Sequence, residues 1–224
     1  MTVLLKEYNQ LVLKEEQINE LHVANKEGKP LTVIGVIQRA DAKNANGRVY
    51  PYNILKKEVD RYKDEVVNKG VGLGQLDHID SPVIELKDVS HIIDDVWWGS
   101  EKPEITLTMK ESVGDPAKTL FGKIRILNTP RGQIAKEIVM QGIPLGISSR
   151  AVGSVKKVRK EGLGEVDEVG DDLQMIAWDL VAQPSTEKAY LSLHEAKEIK
   201  NFNPSKVLPT EIRITETLKD LLKK

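Results

Sequence analysis

The stretch Leu145-Gly146-Ile147-Ser148-Ser149-Arg150-Ala151-Val152-Gly153-Ser154-Val155-Lys156-Lys157-Val158 decides the fold class. From Gly146 to Val158 it reads as one long strand. A Gly- and acid-rich loop, Glu161 to Asp171, links it to a last strand, Leu173 to Val181. Most strand connections in the chain are too short for the crossover a parallel pair needs, so a largely antiparallel sheet is expected. Working outward, Thr32 to Gln38, Val89 to Trp98 and Glu104 to Lys110 also read as strands. Asn44-Ala45-Asn46-Gly47-Arg48 is a turn, because Asn and Gly tolerate left-handed backbone angles. Two helices interrupt the strands. Pro51 suits a first helical turn, Leu55, Val59, Tyr62 and Val66 follow at helical spacing, and Gly70 ends the run. Thr129 can cap the second helix, with Pro130 at its first position, Ile134 and Ile138 on one face and Gly142 as its stop. The expected class is α+β: a mostly antiparallel sheet curled toward a barrel, with helices packed outside.

Composition narrows the function. The 224 residues suit one main domain, with 40% apolar and 30% charged residues. Thirty-three Lys and Arg against 34 Asp and Glu give a net charge of -1, which provides no bulk attraction to nucleic acid or an anionic membrane. Aromatics at 4% are too few for base-stacking platforms. With no cysteine there is no disulfide scaffold, no thiol nucleophile and no thiolate metal site. No apolar run approaches the roughly 20 residues of a membrane span, and the charged start of the chain carries no export signal. Residues 1–29 are expected to be a weak amphipathic helix or a loose arm, 30–185 the main domain, and 186–224 a charged helical arm.

Three features could carry chemistry. In Gly74-Gln75-Leu76-Asp77-His78, a polar loop flanked by apolar residues can present an imidazole at a pocket, or hold an ordinary loop histidine. The pair Ser148-Ser149 sits between Ile147 and Arg150. Small neighbours would let a substrate backbone approach a hydroxyl, which needs a base to become a nucleophile; simple packing in a strand is the other reading. Asp179 interrupts the apolar run Ala177 to Val181. If buried it needs a partner, and orienting an imidazole is one such role; alternation alone does not say which face is buried. His91 lies in a strand and reads as structural, while His22 and His194 lie in charged segments. The histidines lack a paired spacing such as His-Glu-x-x-His, so no metal or other cofactor is expected. The final glycine of a Gly-x-Ser-x-Gly elbow is missing, which speaks against an esterase.

These features occur in order with others, and together the chain resembles the prohead core protein proteases of T-even-like tailed phages. The matching stretches are Asn44-Ala45-Asn46-Gly47-Arg48-Val49-Tyr50-Pro51, Gly74 to His78, Val89-Ser90-His91-Ile92, Asn128-Thr129-Pro130-Arg131-Gly132, and Leu145 to Val155. The resemblance spans about residues 30–185. Two positions depart from it: the family's Glu-Leu-Asn-His-Pro is here Gln75 to Ile79, and its Arg-Gly is Arg150-Ala151.

The resemblance implies a serine endopeptidase with a fold similar to herpesvirus assemblin. His78 then matches the general base, Ser148 the nucleophile with Ser149 the alternative, and Asp179 the third member with His91 the alternative. Only one of two successive strand serines can meet His78. Backbone N–H groups from Arg150 to Gly153 are expected to face the oxyanion. Such enzymes cut after glutamate with an apolar residue two positions earlier, which marks Glu7, Glu15 and Glu216 as self-cleavage sites. The implied substrates are phage scaffold or core proteins and the major capsid protein. The implied setting is the prohead interior within the host cytoplasm, with a homo-oligomer expected. The competing reading is an assembly or scaffold protein that keeps the fold without the activity.

Overall fold

The computed structural model describes residues 2–10, 23, 28, 30–78, 81–108, 114–143, 145–182 and 191–193, all within the unit Met1–Leu193. Its strands form two sheets. The first is built on β7 (Gly146–Lys160), which pairs with β1 (Thr2–Gln10), β8 (Gly164–Val169) and β9 (Gln174–Val181). The two-residue β3 (Arg48–Val49) extends β8 in parallel. The second sheet runs β10 (Leu191–Leu193), β2 (Thr32–Arg39), β6 (Thr119–Ile126), β5 (Val89–Trp98), β4 (Leu73–Gln75). Apart from β3–β8 the strand pairs are antiparallel. A single parallel bridge, Leu76–Leu180, ties the end of β4 to β9. The pairings among the described residues therefore make two linked sheets and do not close into a barrel.

Helix α1 (Tyr52–Tyr62) buries Leu55, Glu58, Val59 and Tyr62, one stripe at helical spacing. Its buried Glu58 accepts from the Met175 N–H at 2.5 Å and from Arg61, which fastens the helix to β9. One wide turn, Lys63–Val67, precedes Gly70, whose φ of 68° ends the run in the left-handed region. Helix α3 (Pro130–Met140) starts as its sequence suggests: the Thr129 hydroxyl accepts from the Gly132 N–H at 3.0 Å and Pro130 takes the first position. Apolar side chains from both sheets, α1 and α3 share one core, including Ile37, Leu55, Val96, Leu120, Ala135, Ile147, Trp178 and Leu180. Trp97, Trp98 and Trp178 are all fully buried, worth roughly 2–3 kcal/mol each in apolar area.

Several expectations are corrected. Glu104 to Lys110 alternates like a strand, yet Pro103–Thr108 forms the short helix α2; the rest of that stretch lies outside the described residues. Pro103 favours a first helical turn, and the partly buried Ile105 packs against Ile34, Val36, Trp97 and Phe121. Glu161 to Asp171 was expected as a loop, but Gly164–Val169 is strand β8, held by the hairpin with β7. Strand β6 carried no reading, although it is the centre of the second sheet. Thr2–Gln10, expected as a helix or loose arm, is strand β1 on the edge of β7.

Candidate active site

Strand alternation sorts β7 into two faces. Ile147 and Ala151 belong to the core, as do their register partners on β9, Leu180 and Met175, and Trp178 between them. Ser149, paired with Trp178, shares that alternation; its hydroxyl is buried without a hydrogen-bond partner. Ser148 and Arg150 fall on the other face with Asp179, the register partner of Ser148. All three are fully buried, so this face is a polar row closed off from water.

His78 reaches the row from the loop after β4. Its Nδ1 lies 2.9 Å from Asp179 Oδ2, and its Nε2 is hydrogen-bonded to the Ser148 hydroxyl. A carboxylate can only accept, so Nδ1 carries the proton and Nε2 is left to accept from Ser148. The backbone delivers the ring through a rare conformation. Asp77 has φ 71°, donates its N–H to the Leu180 carbonyl at 2.6 Å, and accepts from the His78 N–H through its own side chain at 2.9 Å. Asp and Asn enter the left-handed region more readily than most residues because their side chains bond locally.

Asp179 accepts from four donors. Besides His78, the Gln75 N–H bonds Oδ1 at 3.0 Å, Arg150 Nε bonds Oδ2 at 2.8 Å, and Arg150 Nη2 bonds Oδ1 at 3.2 Å. Burial alone would push the Asp179 carboxyl up. The His78 hydrogen bond, the Arg150 charge and the Gln75 amide outweigh it and hold the group below the usual carboxylate range. Arg150 spends its remaining donors nearby. Nη2 bonds Gln75 Oε1 at 2.6 Å, while Nη1 bonds the carbonyls of Ser81 at 2.6 Å and Val83 at 3.3 Å. One guanidinium thus neutralises the carboxylate and straps down the loop that follows His78. Removing either partner of such a buried pair typically costs about 3–5 kcal/mol, because the other charge stays buried alone.

His91 stands close by in a different setting. Its Nε2 lies 2.9 Å from the Trp178 carbonyl and so donates to it, and Nδ1 accepts from the Ser90 hydroxyl at 2.8 Å. Complete burial pushes its pKa down to about 4, against the opposing pull of Asp179 and the Trp178 carbonyl, so the ring is neutral. Gly74 makes this packing possible: a Cβ there would stand 2.2 Å from His91 Nε2 and 2.3 Å from the Trp178 carbonyl oxygen.

The structure thus brings Ser148, His78 and Asp179 into one hydrogen-bonded chain. It places Ser149 with the core and gives both His91 nitrogens partners outside that chain. Arg150 and Gly153 lie within β7; Arg150 is paired on both edges, with Lys6 and Ala177, and Gly153 pairs with Val3. Glu7 lies in β1, opposite Ser149; Glu15 and Glu216 lie outside the described residues. The Arg150 side chain is the participant that sequence reasoning missed. A signal was there: a charged residue inside an apolar strand needs a partner, the same argument that singled out Asp179. Among the described residues no group of three or more His, Cys, Asp or Glu side chains is placed to hold a metal. No helix among them is long and apolar enough to cross a membrane.

The family model described as "Prohead core protein serine protease" matches residues 11–201. The prohead core protein protease of Enterobacteria phage T4 is 29% identical over 171 residues, covering 75% of this chain and 71% of that protein. The solved structure of the bacteriophage T4 capsid assembly protease aligns with a TM-score of 0.59 at 22% identity, over 82% of this chain and 99% of that one. At that identity the likeness speaks for the fold: mixed α and β, with two sheets and few helices.

Proposed function

The chain belongs to the prohead core protein serine protease family, and from that premise we propose that it is a serine endopeptidase of phage head maturation. The observation that carries this reading is the unbroken hydrogen-bonded chain from the Ser148 hydroxyl through His78 to Asp179. In the proposed reaction His78 Nε2 takes the Ser148 proton as Oγ attacks a peptide carbonyl. Asp179 keeps Nδ1 protonated and stabilises the imidazolium that forms. His78 then gives the proton to the leaving amine. Water, activated by the same ring, releases the acyl group from Ser148. Arg150 limits the cost of a buried Asp179 carboxylate and holds it in one orientation. Backbone N–H groups of Arg150 and Gly153 are proposed as oxyanion donors.

Cleavage after glutamate, with scaffold or core proteins and the major capsid protein as substrates, completes the reading. So does self-cleavage after Glu7, Glu15 and Glu216. The work is assigned to the prohead interior, by a homo-oligomeric enzyme without a cofactor, whose two sheets are a variant of the assemblin-type barrel. The main domain is assigned to 30–185, between processed arms 1–29 and 186–224.

Intact-mass spectrometry over time tests this, with wild type beside Ser148→Ala, Ser149→Ala and His78→Ala, each with and without phage core protein. The expected result is trimming and core cleavage by wild type and Ser149→Ala, and none by the other two. If no protein is cut in any sample, the assembly-protein reading replaces this one.

A further inference from the structure

Ser148 is fully buried, so no substrate reaches it in the described arrangement. The segment of β7 that carries it is paired on both edges: β9 takes one through Gly146–Val152, and β1 takes the other through Gly146–Ser154. The two occupants differ in kind. β9 supplies Asp179 and the core residues Trp178 and Leu180. Among the described residues β1 pairs only with β7 and ends its sheet, and it lies outside residues 11–201 that match the family. Its register sets Tyr8 against Ser148 and Glu7 against Ser149, so the Glu7–Tyr8 peptide lies opposite the serine pair.

We propose that the edge of β7 beside Ser148 is a binding site for an extended polypeptide strand, and that residues 2–10 are its resident, displaceable occupant. An exposed strand edge recognises another chain through its row of backbone donors and acceptors, whatever the side chains. An incoming polypeptide must displace β1 to use that row, so the N-terminal strand holds the site closed in the intact chain. The inference rests on the protease reading only for its consequence, that a strand seated there is next to the nucleophile.

The test uses the full chain with Ser148→Ala, which removes the hydroxyl and keeps β1 in place. Leu5→Pro and Lys6→Pro are made singly in that background. Successive strand N–H groups point to opposite edges, so one of these two donates toward β7 and the other toward solvent; proline is tolerated only on the outward side. A fluorescent peptide with the sequence of residues 1–12 is titrated, and amide exchange is followed over residues 146–154 and over β5 and β6. The expected result is an asymmetry: one proline raises peptide affinity about tenfold and speeds exchange in 146–154, the other has little effect, and β5 and β6 keep their protection. Equal effects of both prolines, or none from either, overturn the proposal. In the active chain the sensitive proline should raise the initial rate on a core-protein peptide by about the same factor. If peptide binding responds but no variant hydrolyses anything, the strand site stands and the protease reading falls. If all variants hydrolyse at one rate, the reverse holds.

Discussion

His78 and His91 both hydrogen-bond to β9, one at the Asp179 carboxylate and the other at the Trp178 carbonyl, yet the two regions put an imidazole to opposite uses. The His78 ring hangs from an irregular loop. One nitrogen meets a carboxylate and the other a hydroxyl, so a proton can move along the line. The His91 side chain belongs to β5; its one N–H donates to the Trp178 carbonyl and so ties β5 to β9, while the other nitrogen accepts from Ser90 within β5. The difference lies in what the second nitrogen touches. A carboxylate favours the charged ring; at His91 complete burial outweighs the pull of Asp179 and of the Trp178 carbonyl and keeps the ring neutral.

Substituting each histidine should separate the two roles most sharply. His78→Ala should lower kcat by about 10³-fold or more while leaving the thermal midpoint nearly unchanged. His91→Ala should keep kcat within about tenfold and lose stability instead. Turnover of a core-protein peptide and thermal melts on the same samples read both; a large kcat loss in His91→Ala with no melting shift would erase the contrast.

Next in size is the carboxylate. Asp179→Asn should cost about 10³-fold in kcat, because the amide no longer fixes the tautomer, and it also leaves Arg150 as a buried unpaired charge. Arg150→Lys should fall between this variant and wild type. An activity profile against pH that stays the same for Asp179→Asn would argue that the carboxylate does not act through His78.

Gly74→Ala probes the structural histidine. The added methyl must push against His91 Nε2 and the Trp178 carbonyl, and the expected loss is about 3 kcal/mol in urea melts, equal to most of the His91→Ala effect. The same pair sets an acid response. The folded pKa of His91 lies near 4, below the unfolded 6.5, so the unfolded chain takes up a proton first as pH falls. That contribution to stability is complete above about pH 6.5 and declines down to about pH 4, by about 3 kcal/mol in all. His91→Gln should flatten the slope in that window, measured by denaturant melts at steps of pH.

The smallest effect is expected at the turn that aims His78. Asp77→Asn should change stability by less than about 0.5 kcal/mol and leave kcat close to wild type, whereas Asp77→Val should cost about 1–2 kcal/mol and lower kcat.

How far the sequence could be read follows the same physical line. Elements whose signals are local were legible. The Thr129–Pro130 start of α3, the buried stripe of α1 and the long apolar strands all sit close to where the residues place them. Elements that exist because of the strand they pair with were not. The Gly164–Val169 segment is acidic and becomes a strand only through its hairpin with β7, and Thr2–Gln10 becomes one only on the β7 edge. The Glu104 to Thr108 alternation was a real period-two pattern, overruled by the proline before it and by the pocket that takes Ile105. In the site, the residue types of Ser148, His78 and Asp179 were visible, and the family resemblance supplied the expectation that they act together. For Arg150 the sequence shows a charge inside an apolar strand that needs a partner, but not which partners, because they depend on where the side chain goes after its strand is placed.

That side chain has a consequence for how the site comes together. Its N–H groups find acceptors at Gln75, Ser81, Val83 and Asp179, positions up to 75 residues away from it in the sequence. If any one arrives late or misplaced, a guanidinium is stranded in a dry interior, and the half-built arrangement is worse than an open one. Arg150 therefore works as a coincidence detector. The expected consequence is cooperative assembly, with the acceptors gathering around Arg150 together rather than through a series of partial arrangements.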